Sequence, residues 1–362
     1  MNILYLANHL NTGGITSYVY ALASGMRQSG HRVYLASAGG EHLGKFQQQG
    51  IIFIPVPMKT KAEISPKIMI SMLKLSKIIS KNDIELVHSN SRTTQVLGCL
   101  LSRLKGVRHV WTCHGFFKNR ILRKIFPCWG QAVIAISEPV KEHLVRDFKL
   151  DGKKIFTIPN GIDAHNQLAP GSKPQIEIKK ELGLHDGPVV GIVARLSDVK
   201  GHAYLIQAMS NVLKKFPRAQ LVIVGEGRMK KELEELSRDL GVEKCIHFIP
   251  KVCDTREVLS VMDVFVMPSL AEGLGLALME AMASGLACIG SDVGGIKSLI
   301  QHRFNGLLVS PKDHKQLQDA IEELLGDAEK REFYGSNAKN YIIQNFNQEK
   351  MIRQTEEVYA RC

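Results

Sequence analysis

Two carboxylates lie in a glycine-rich segment between Pro268 and Gly285. Glu272 is in a turn that follows the apolar run Val264–Met267, and Glu280 is in the next run of good helix formers. A strand, a glycine turn and a helix in this order are typical of the carboxyl edge of an open α/β sheet, where ligands bind and free helix N–H groups attract anions. The offset between the two acids favours contacts with two parts of one elongated ligand over a catalytic pair that shares a proton.

Two cations occupy another predicted strand-to-helix loop. Arg195 and Lys200 lie in the segment ARLSDVKG, directly after the apolar run Val189–Val193. Two cations in one loop can bind a diphosphate from two sides, so both are candidate ligands of a phosphorylated substrate. A solvated loop would account for the same residues. Gly225 ends the next predicted strand, Gln220–Val224, and is expected to line the same site.

The first half of the chain has a glycine pair and a histidine at comparable positions. Gly13 and Gly14 follow a predicted strand and open a helix, so a phosphate or a sugar can come close to the backbone there. A tight turn would explain the pair equally well, and the GxGxxG dinucleotide fingerprint is absent. His114 ends another predicted strand, where an imidazole can donate to a sugar hydroxyl or a carboxylate, although a single histidine at a strand end is usually structural.

The bulk composition limits the class of protein. A chain of 362 residues is too long for one typical core and predicts two domains. No apolar run is long enough to span a bilayer, and the first ten residues, MNILYLANHL, are typical of a buried strand rather than a signal peptide. Seven cysteines without a CxxC pair indicate a reduced, cytoplasmic environment with neither a disulfide framework nor a zinc site.

The positive charge is concentrated in the first half of the chain. Residues 1–181 contain 25 Lys and Arg against 11 Asp and Glu, while residues 182–362 contain 22 and 24. A basic surface can attract nucleic acid, anionic lipid or a phosphorylated substrate, or can serve solubility alone. Nucleic acid is the least favoured of these partners, because the basic residues lack the interleaved aromatic residues of a nucleic-acid-binding module.

A mixed basic and apolar segment follows His114 and continues to Trp129. Its basic residues, with the earlier lysines expected beside them, are Lys59, Lys61, Lys67, Lys118, Arg120, Arg123 and Lys124. Such a patch suits an anionic bilayer surface or a lipid-linked phosphorylated acceptor, and a helix with one buried and one solvated face is the alternative. We expect peripheral binding to the inner face of the cytoplasmic membrane.

The order of the predicted elements fits an α/β protein with two doubly wound parallel sheets. Apolar strand runs alternate with helical stretches over residues 1–168, and the pattern starts again over residues 169–344 after an irregular stretch around Pro170. The facing edges of two such domains would form a central cleft for a small ligand. The tail, Lys339–Arg361, is predicted to be helical.

Six short motifs appear in a characteristic order along the chain. They are the first glycine pair, the pair His114–Gly115, PNGID at Pro159–Asp163, RLxxxKG at Arg195–Gly201, VGEG at Val224–Gly227, and the two glutamates eight residues apart. In this order they resemble the retaining glycosyltransferases of family four, which have the GT-B fold of two Rossmann-like domains. The match runs from residue 8 to about residue 310 and covers nearly the whole chain.

The resemblance implies a role for each candidate residue. The first domain, 1–168, would bind the acceptor, with a helix at about 345–362 packing back on it, and the second, 169–344, would bind the donor. In the donor site, Arg195 and Lys200 would bind the diphosphate, and Glu280 would bind the ribose. The donor sugar and the diphosphate would contact Glu272, Gly273, Leu274, Gly275 and Leu276. Val252 and its loop would lie beside the nucleobase, and Gly225 would line the site. The implied contacts of the first domain are the acceptor for Gly13, phosphate or acceptor for Gly14, and the outer hydroxyls of the donor sugar for His114.

The resemblance also implies a reaction. A sugar would pass from a nucleotide diphosphate sugar, with a UDP-sugar favoured, to a glycan or lipid-linked acceptor of cell-surface polysaccharide or lipopolysaccharide synthesis. No metal or other cofactor is expected, because fixed cations and helix N–H groups can stabilise the leaving diphosphate. The candidate catalytic residues are His114, Glu272, Arg195 and Lys200. Two alternatives stay open, a UDP-sugar 2-epimerase of the same architecture and a non-catalytic protein that binds a nucleotide sugar.

Overall fold

The structure is a computed structural model that describes residues 1–58, 60, 65–117, 123, 126–163, 173–252 and 254–362. These residues form two compact units. The first consists of Met1–Gly161 together with Gln348–Cys362, and the second of Ile162–Asn347. Within the described ranges each unit contains one sheet of parallel strands with helices between them.

The sheet of the first unit has the strand order β3-β2-β1-β4-β5-β6-β7. Its strands are β1 Asn2–Leu6, β2 Arg32–Ser37, β3 Ile52–Pro55, β4 Leu86–Ser89, β5 Arg108–Cys113, β6 Ala132–Ala135 and β7 Ile155–Thr157. Its helices are Gly14–Gln28, Leu43–Gln48, Pro66–Lys81, Arg92–Lys105, Glu138–Phe148 and Gln348–Arg361. Leu4 of β1 pairs with Tyr34 of β2 on one side and with Val87 of β4 on the other, so β1 is central.

The apolar sequence of β1 follows from burial on both faces of the sheet. Ile3 and Tyr5 lie in the core layer formed with helices Gly14–Gln28 and Gln348–Arg361. Leu4 lies in the opposite layer, which helix Pro66–Lys81 covers. A strand with helices on both faces has no polar side, which is why this run is apolar without alternation.

The sheet of the second unit has the strand order β10-β9-β8-β11-β12-β13. Its strands are β8 Val189–Val193, β9 Gln220–Val224, β10 Ile246–Ile249, β11 Val264–Met267, β12 Ala287–Ser291 and β13 Leu307–Val309. Its helices are Gln175–Glu181, His202–Lys215, Lys230–Asp239, Arg256–Ser260, Leu276–Ala283, Ile296–Leu299, His314–Gly326 and Ala328–Asn345. The predicted α/β class with two doubly wound parallel sheets is confirmed.

The tail is two helices, where the sequence predicts one helix over Lys339–Arg361. Ala328–Asn345 ends before Phe346, whose side chain is buried, and the next helix begins at Gln348. The break has a structural cause, because the Phe346 carbonyl accepts a hydrogen bond from the amide of Ile162 at 2.8 Å. The first of these helices belongs to the second unit and the last helix to the first.

The last helix is joined to the first sheet by buried polar contacts. The Tyr359 hydroxyl lies 2.9 Å from the Tyr5 hydroxyl and also hydrogen-bonds to Nδ1 of His88. Nε2 of His88 in turn lies 2.7 Å from Oγ1 of Thr112.

No helix within the described ranges has both the length and the apolar composition that a bilayer crossing requires.

Candidate functional site

The candidate donor residues lie at the carboxyl edge of the second sheet. The strand order reverses between β8 and β11, which are neighbours in the sheet although two strands separate them in sequence. Ligands of open α/β sheets bind at such a reversal, because the loops that leave the two strands turn to opposite faces and open a crevice. Arg195 and Lys200 follow β8, and Glu272 follows β11.

Lys200 and Glu272 form an ion pair across these two loops. The Lys200 ammonium contacts Oε2 of Glu272, and only 20% and 14% of the two side chains are exposed. The hydroxyl of Ser269, a fully buried residue, lies 3.5 Å from the same carboxylate oxygen. The sequence places both charges at strand ends, and the structure brings them into direct contact.

The backbone of the Lys200 loop packs directly on the loop after β11. The amide of Leu270 donates to the Val199 carbonyl at 2.8 Å. Gly201 has φ near +73°, and a Cβ atom there would overlap the Pro268 carbonyl oxygen. Glycine is therefore required at this position both for the left-handed backbone and for the close approach of the two chains. The close approach holds the Lys200 backbone beside the loop that carries Glu272.

Arg195 lies in the same loop but faces solvent. Its neighbours are tied to the β9 loop, since the amide of Leu196 donates to the Glu226 carbonyl at 3.0 Å. A Cβ atom at Gly225 would overlap the Ala194 carbonyl oxygen. In the described part of the chain, the Arg195 guanidinium forms neither a salt bridge nor a hydrogen bond. The structure thus holds a cation on a fixed backbone, available to an anionic ligand.

Gly273, Leu274 and Gly275 form a buried turn that opens helix Leu276–Ala283. Gly275 has φ near +105°, a conformation that glycine adopts without strain. The helix has no side-chain cap, so the first N–H groups of its N-terminus are open to an anion. The turn is braced by Gly295, whose amide donates to the Glu272 carbonyl at 2.9 Å.

Glu280 lies in the second turn of this helix and is held by a residue from another loop. Oγ1 of Thr255 donates to Oε2 of Glu280 at 2.9 Å. Burial raises the pKa of Glu280 to about 7, the Thr255 hydrogen bond opposes this rise, and the negative charge of Asp254 adds to it. Thr255 follows the β10 loop that contains the half-buried Val252. The residues predicted to contact the ribose and the nucleobase thus lie in two segments that the Thr255–Glu280 hydrogen bond connects.

The first unit brings its own candidates together at the carboxyl edge of β1, β4 and β5. Gly13 and Gly14 begin the helix that carries Tyr18, and the Tyr18 ring meets the His114 ring edge-on with centroids 4.7 Å apart. A Cβ atom at Gly13 would meet no heavy atom within 4 Å. The space beside Gly13 is therefore open.

His114 is neutral and has a fixed tautomer. Burial lowers the pKa of His114 to about 3, so the ring carries no charge at neutral pH. Its Nε2 lies 3.3 Å from Oδ1 of Asn90, whose Nδ2 lies 3.5 Å from the Leu6 carbonyl. Because the Leu6 carbonyl requires the Asn90 NH₂ group, Oδ1 faces the histidine and Nε2 carries the proton. Nδ1 is then an acceptor, whereas the sequence interpretation has His114 as a donor to a hydroxyl.

The predicted basic patch lies largely outside the described residues. Lys59, Lys61, Lys118, Arg120 and Lys124 are in this category. Arg123 is described, and its guanidinium carbon lies 5.0 Å from the centre of the Phe117 ring. Lys67 is exposed near the start of helix Pro66–Lys81.

Sequence reasoning missed four residues that shape these sites. Asn90 directly follows strand β4, and Gly295 belongs to a glycine pair after β12, so the strand-end rule used for Gly13 could have found both. Tyr18 and Thr255 have no such signal, because a contact with His114 or Glu280 is visible only once the chain is folded.

Two family models together match most of the chain. Residues 12–166 match the model described as Glycosyltransferase Family 4, and residues 174–341 match the model described as Glycosyl transferases group 1. The chain is a GT-B glycosyltransferase of family four. This membership confirms the resemblance drawn from the six motifs and makes the protein a transferase.

Similar proteins agree with this membership, and a solved structure agrees with the fold. The chain is 29% identical over 310 residues to an Escherichia coli UDP-Gal:alpha-D-GlcNAc-diphosphoundecaprenol alpha-1,3-galactosyltransferase, covering 81% of this chain and 79% of that one. It is 26% identical to an uncharacterised glycosyltransferase from Methanocaldococcus jannaschii, covering 96% and 94%. The fold of this glycosyltransferase is similar to that of Anabaena HepE in complex with UDP and glucose, with a TM-score of 0.89, 23% identity and full coverage of both chains.

Proposed function

We propose that this glycosyltransferase transfers a hexose from a UDP-sugar to a glycan or lipid-linked acceptor in cell-surface polysaccharide or lipopolysaccharide synthesis, with retention and without a metal ion. The observation that carries the proposal is the Lys200–Glu272 pair at the strand-order reversal, beside an uncapped helix N-terminus. Support for the donor and acceptor classes comes from the names of similar proteins, which include a galactosyltransferase acting from UDP-Gal and a structure with bound UDP and glucose.

The charges of the second unit suit the leaving group of this reaction. When the bond between the anomeric carbon and the diphosphate oxygen breaks, negative charge grows on the diphosphate. Lys200, Arg195 and the first N–H groups of helix Leu276–Ala283 are the groups that would stabilise it, and they would do so more strongly in the transition state than in the bound donor. Fixed cations supply this stabilisation without a metal ion, which is the basis for proposing metal independence.

Retention follows from front-face attack in this proposal. The acceptor oxygen bonds to the anomeric carbon on the face that the diphosphate leaves, and the acceptor proton passes to the departing phosphate oxygen. Glu272 is paired with Lys200, so its role in the proposal is to orient the cation and the donor sugar rather than to form a covalent bond. Glu280 would accept hydrogen bonds from the ribose, and neutral His114 would contact a hydroxyl of the donor sugar.

The proposal places the protein in the cytoplasm, peripherally bound to the inner face of the membrane. Cytoplasmic UDP-sugars and a lipid-linked acceptor would meet there. The basic residues of the first half of the chain support this location, since an anionic leaflet attracts juxtaposed lysines and arginines.

The decisive experiment incubates the purified full chain with single UDP-sugars and a water-soluble acceptor, and measures release of UDP. The anomeric configuration of the product is read by proton NMR, and the assay is repeated with EDTA. Lys200→Ala should lose at least about a hundredfold in kcat/KM for the donor, whereas Lys297→Ala, which alters an exposed ion pair with Asp292, should retain activity. An inverted product, an epimerised donor formed without acceptor, or affinity with no turnover would each refute the proposal.

A further inference from the structure

Helix Pro66–Lys81 of the first unit presents an apolar stripe to solvent. Met69, Ile70 and Leu73 are 49%, 56% and 58% exposed. The helix does not need these residues for its own packing, because Ile68 and Leu75 are fully buried on the face toward the sheet. Three large apolar side chains clustered on one outward face exceed the scattered exposure that a soluble surface normally shows.

The same face is strongly basic. The helix contains four lysines and no acidic residue in its 16 positions. Lys67, Lys77 and Lys81 are exposed, and within the described ranges none of the three forms an ion pair. Lys74 donates to the Pro55 carbonyl at 2.6 Å. The three free ammonium groups therefore lie near the two ends of the helix, and Met69, Ile70 and Leu73 lie between them along the chain.

A neighbouring helix extends this surface. Arg92–Lys105 packs against Pro66–Lys81 and also lacks acidic residues. Its last turn exposes Arg103 and Lys105, with Leu104 54% exposed between them. Two adjacent helices with seven basic residues and no acid between them form a surface whose charge complements an anionic partner.

We infer that Pro66–Lys81 is an interfacial helix that binds an anionic lipid bilayer, with Met69, Ile70 and Leu73 inserted below the headgroups and the lysines on the lipid phosphates. An outward apolar stripe bordered by lysines is the composition with which a helix lies in the plane of a membrane. An acidic protein partner would match the charge but leaves the three apolar side chains unexplained. The inference extends the membrane location in the proposed function, and it names a helix outside the segment from His114 to Trp129, although Lys67 also belongs to the predicted basic patch.

Flotation of the full chain with lipid vesicles tests this inference. The protein should float with vesicles that contain phosphatidylglycerol and not with phosphatidylcholine alone, and added salt should release it because screening weakens the attraction. The triple variant Met69→Ser, Ile70→Ser, Leu73→Ser should lose binding by tenfold or more at about 0.8 kcal/mol per buried CH₂ lost. Substitution of Lys67, Lys77 and Lys81 by Gln should weaken binding by about fivefold per lysine.

A matched control separates this surface from exposed apolar area in general. Phe333, 54% exposed on helix Ala328–Asn345 of the second unit, should be replaceable by Ser without loss of flotation. All variants are checked for thermal unfolding and for turnover with a water-soluble acceptor. A triple variant that keeps its turnover and no longer floats supports the inference. A parent chain without turnover would count against the proposed function and not against membrane binding by the helix.

Three results would overturn the inference. The first is parent protein that does not float with anionic vesicles, and the second is a triple variant that floats as well as the parent. The third is a parent protein that does not float but sediments as a dimer, when the triple variant sediments as a monomer, because the apolar stripe would then cover a second copy of the chain.

Discussion

Lys200 and Glu272 form an ion pair between two loops that follow neighbouring but non-consecutive strands. The pair lies where a diphosphate is proposed to bind, so an incoming donor would compete with Glu272 for the lysine. Water can hydrate the two charges of a largely buried pair only poorly, so removal of one partner leaves the other charge buried without a counter-ion. The pair therefore has a structural role in the free protein as well as the proposed role in catalysis.

A double-mutant cycle should detect this structural role. We expect Lys200→Ala and Glu272→Ala each to lower the free energy of unfolding, and the coupling between them to be about 1–3 kcal/mol, because the residues are in direct contact. The measurement is chemical unfolding of the parent, both single variants and the double variant. The pair Arg228–Asp198 serves as control, since it is highly exposed and should show coupling close to zero. Equal coupling in the two pairs would contradict the structural role.

The pKa of Glu280 predicts a pH dependence of donor binding. Ribose hydroxyls donate to a carboxylate, so the ionised form binds the donor and protonation below pH 7 weakens binding. The donor KM should rise by up to about tenfold per pH unit below 7 and become constant well above it. Measurement of the donor KM between about pH 5.5 and about pH 8.5, a range that extends more than one unit to either side of this pKa, would check the prediction.

Glu280→Gln is the control for that titration. Its amide does not titrate, so its donor KM should be high at every pH. A KM profile shared by parent and variant would assign the titration to another group.

The same raised pKa predicts the sign of a change in stability with pH. Relative to low pH, the free protein loses stability as the pH rises from the ordinary carboxyl value of 4.5 to about 7, because the unfolded chain ionises first. Glu280→Gln should therefore unfold at a higher temperature than the parent above pH 7, as measured by thermal unfolding.

Thr255 should tune the same titration. Its hydroxyl donates to Oε2 of Glu280 and favours the charged form. Thr255→Val removes the donor while keeping the shape, so the midpoint of the KM profile should move up by on the order of one pH unit, with kcat at high pH unchanged. Thr255→Ser keeps the hydroxyl and should retain the parent midpoint. Movement of the midpoint in both variants would show that packing, and not the hydrogen bond, controls Glu280.

Gly295 tests whether the buried turn after Glu272 must be held in place. Its φ is near −71°, a value open to any residue, but an added Cβ would overlap the Gly273 carbonyl oxygen and lie 2.5 Å from the Leu274 Cα. Gly295→Ala should therefore displace the turn, raise the donor KM and lower the unfolding free energy by about 1–3 kcal/mol. Gly44→Ala is the control, because no heavy atom lies within 4 Å of its added Cβ and alanine favours its helix. Similar losses in both variants would refute the packing argument.

Most of the second sheet and its edge could be predicted from the sequence. Continuous apolar runs such as Val264–Met267 indicate strands buried on both faces, and a glycine or a charge directly after such a run marks the edge where ligands bind. The break at Phe346 could not be predicted, because the pattern of the tail is helical throughout and the break depends on a hydrogen bond to Ile162, far away in sequence. The contacts of Thr255 with Glu280 and of Tyr18 with His114 could not be predicted for the same reason.

Asn90 should control which nitrogen of His114 is left to accept a hydrogen bond. The Leu6 carbonyl orients the Asn90 amide, the amide oxygen holds the proton on Nε2, and Nδ1 is left to accept from a hydroxyl. Asn90→Leu removes this constraint, so the ring should populate both tautomers, a change that the ¹⁵N shifts of the imidazole report directly. The kcat/KM for the donor should fall about tenfold if one hydrogen bond to the sugar is weakened.

Asn90→Asp separates the tautomer from a general loss of packing. A carboxylate also accepts from Nε2–H and should keep the parent tautomer, while its charge should raise the pKa of His114 from about 3 toward the ordinary range. Turnover at high pH should then be closer to the parent than in Asn90→Leu, with a new loss as the pH falls and the imidazole becomes charged. An unchanged ¹⁵N spectrum in Asn90→Leu would mean that the Tyr18 ring, packed edge-on against His114, fixes the tautomer without Asn90.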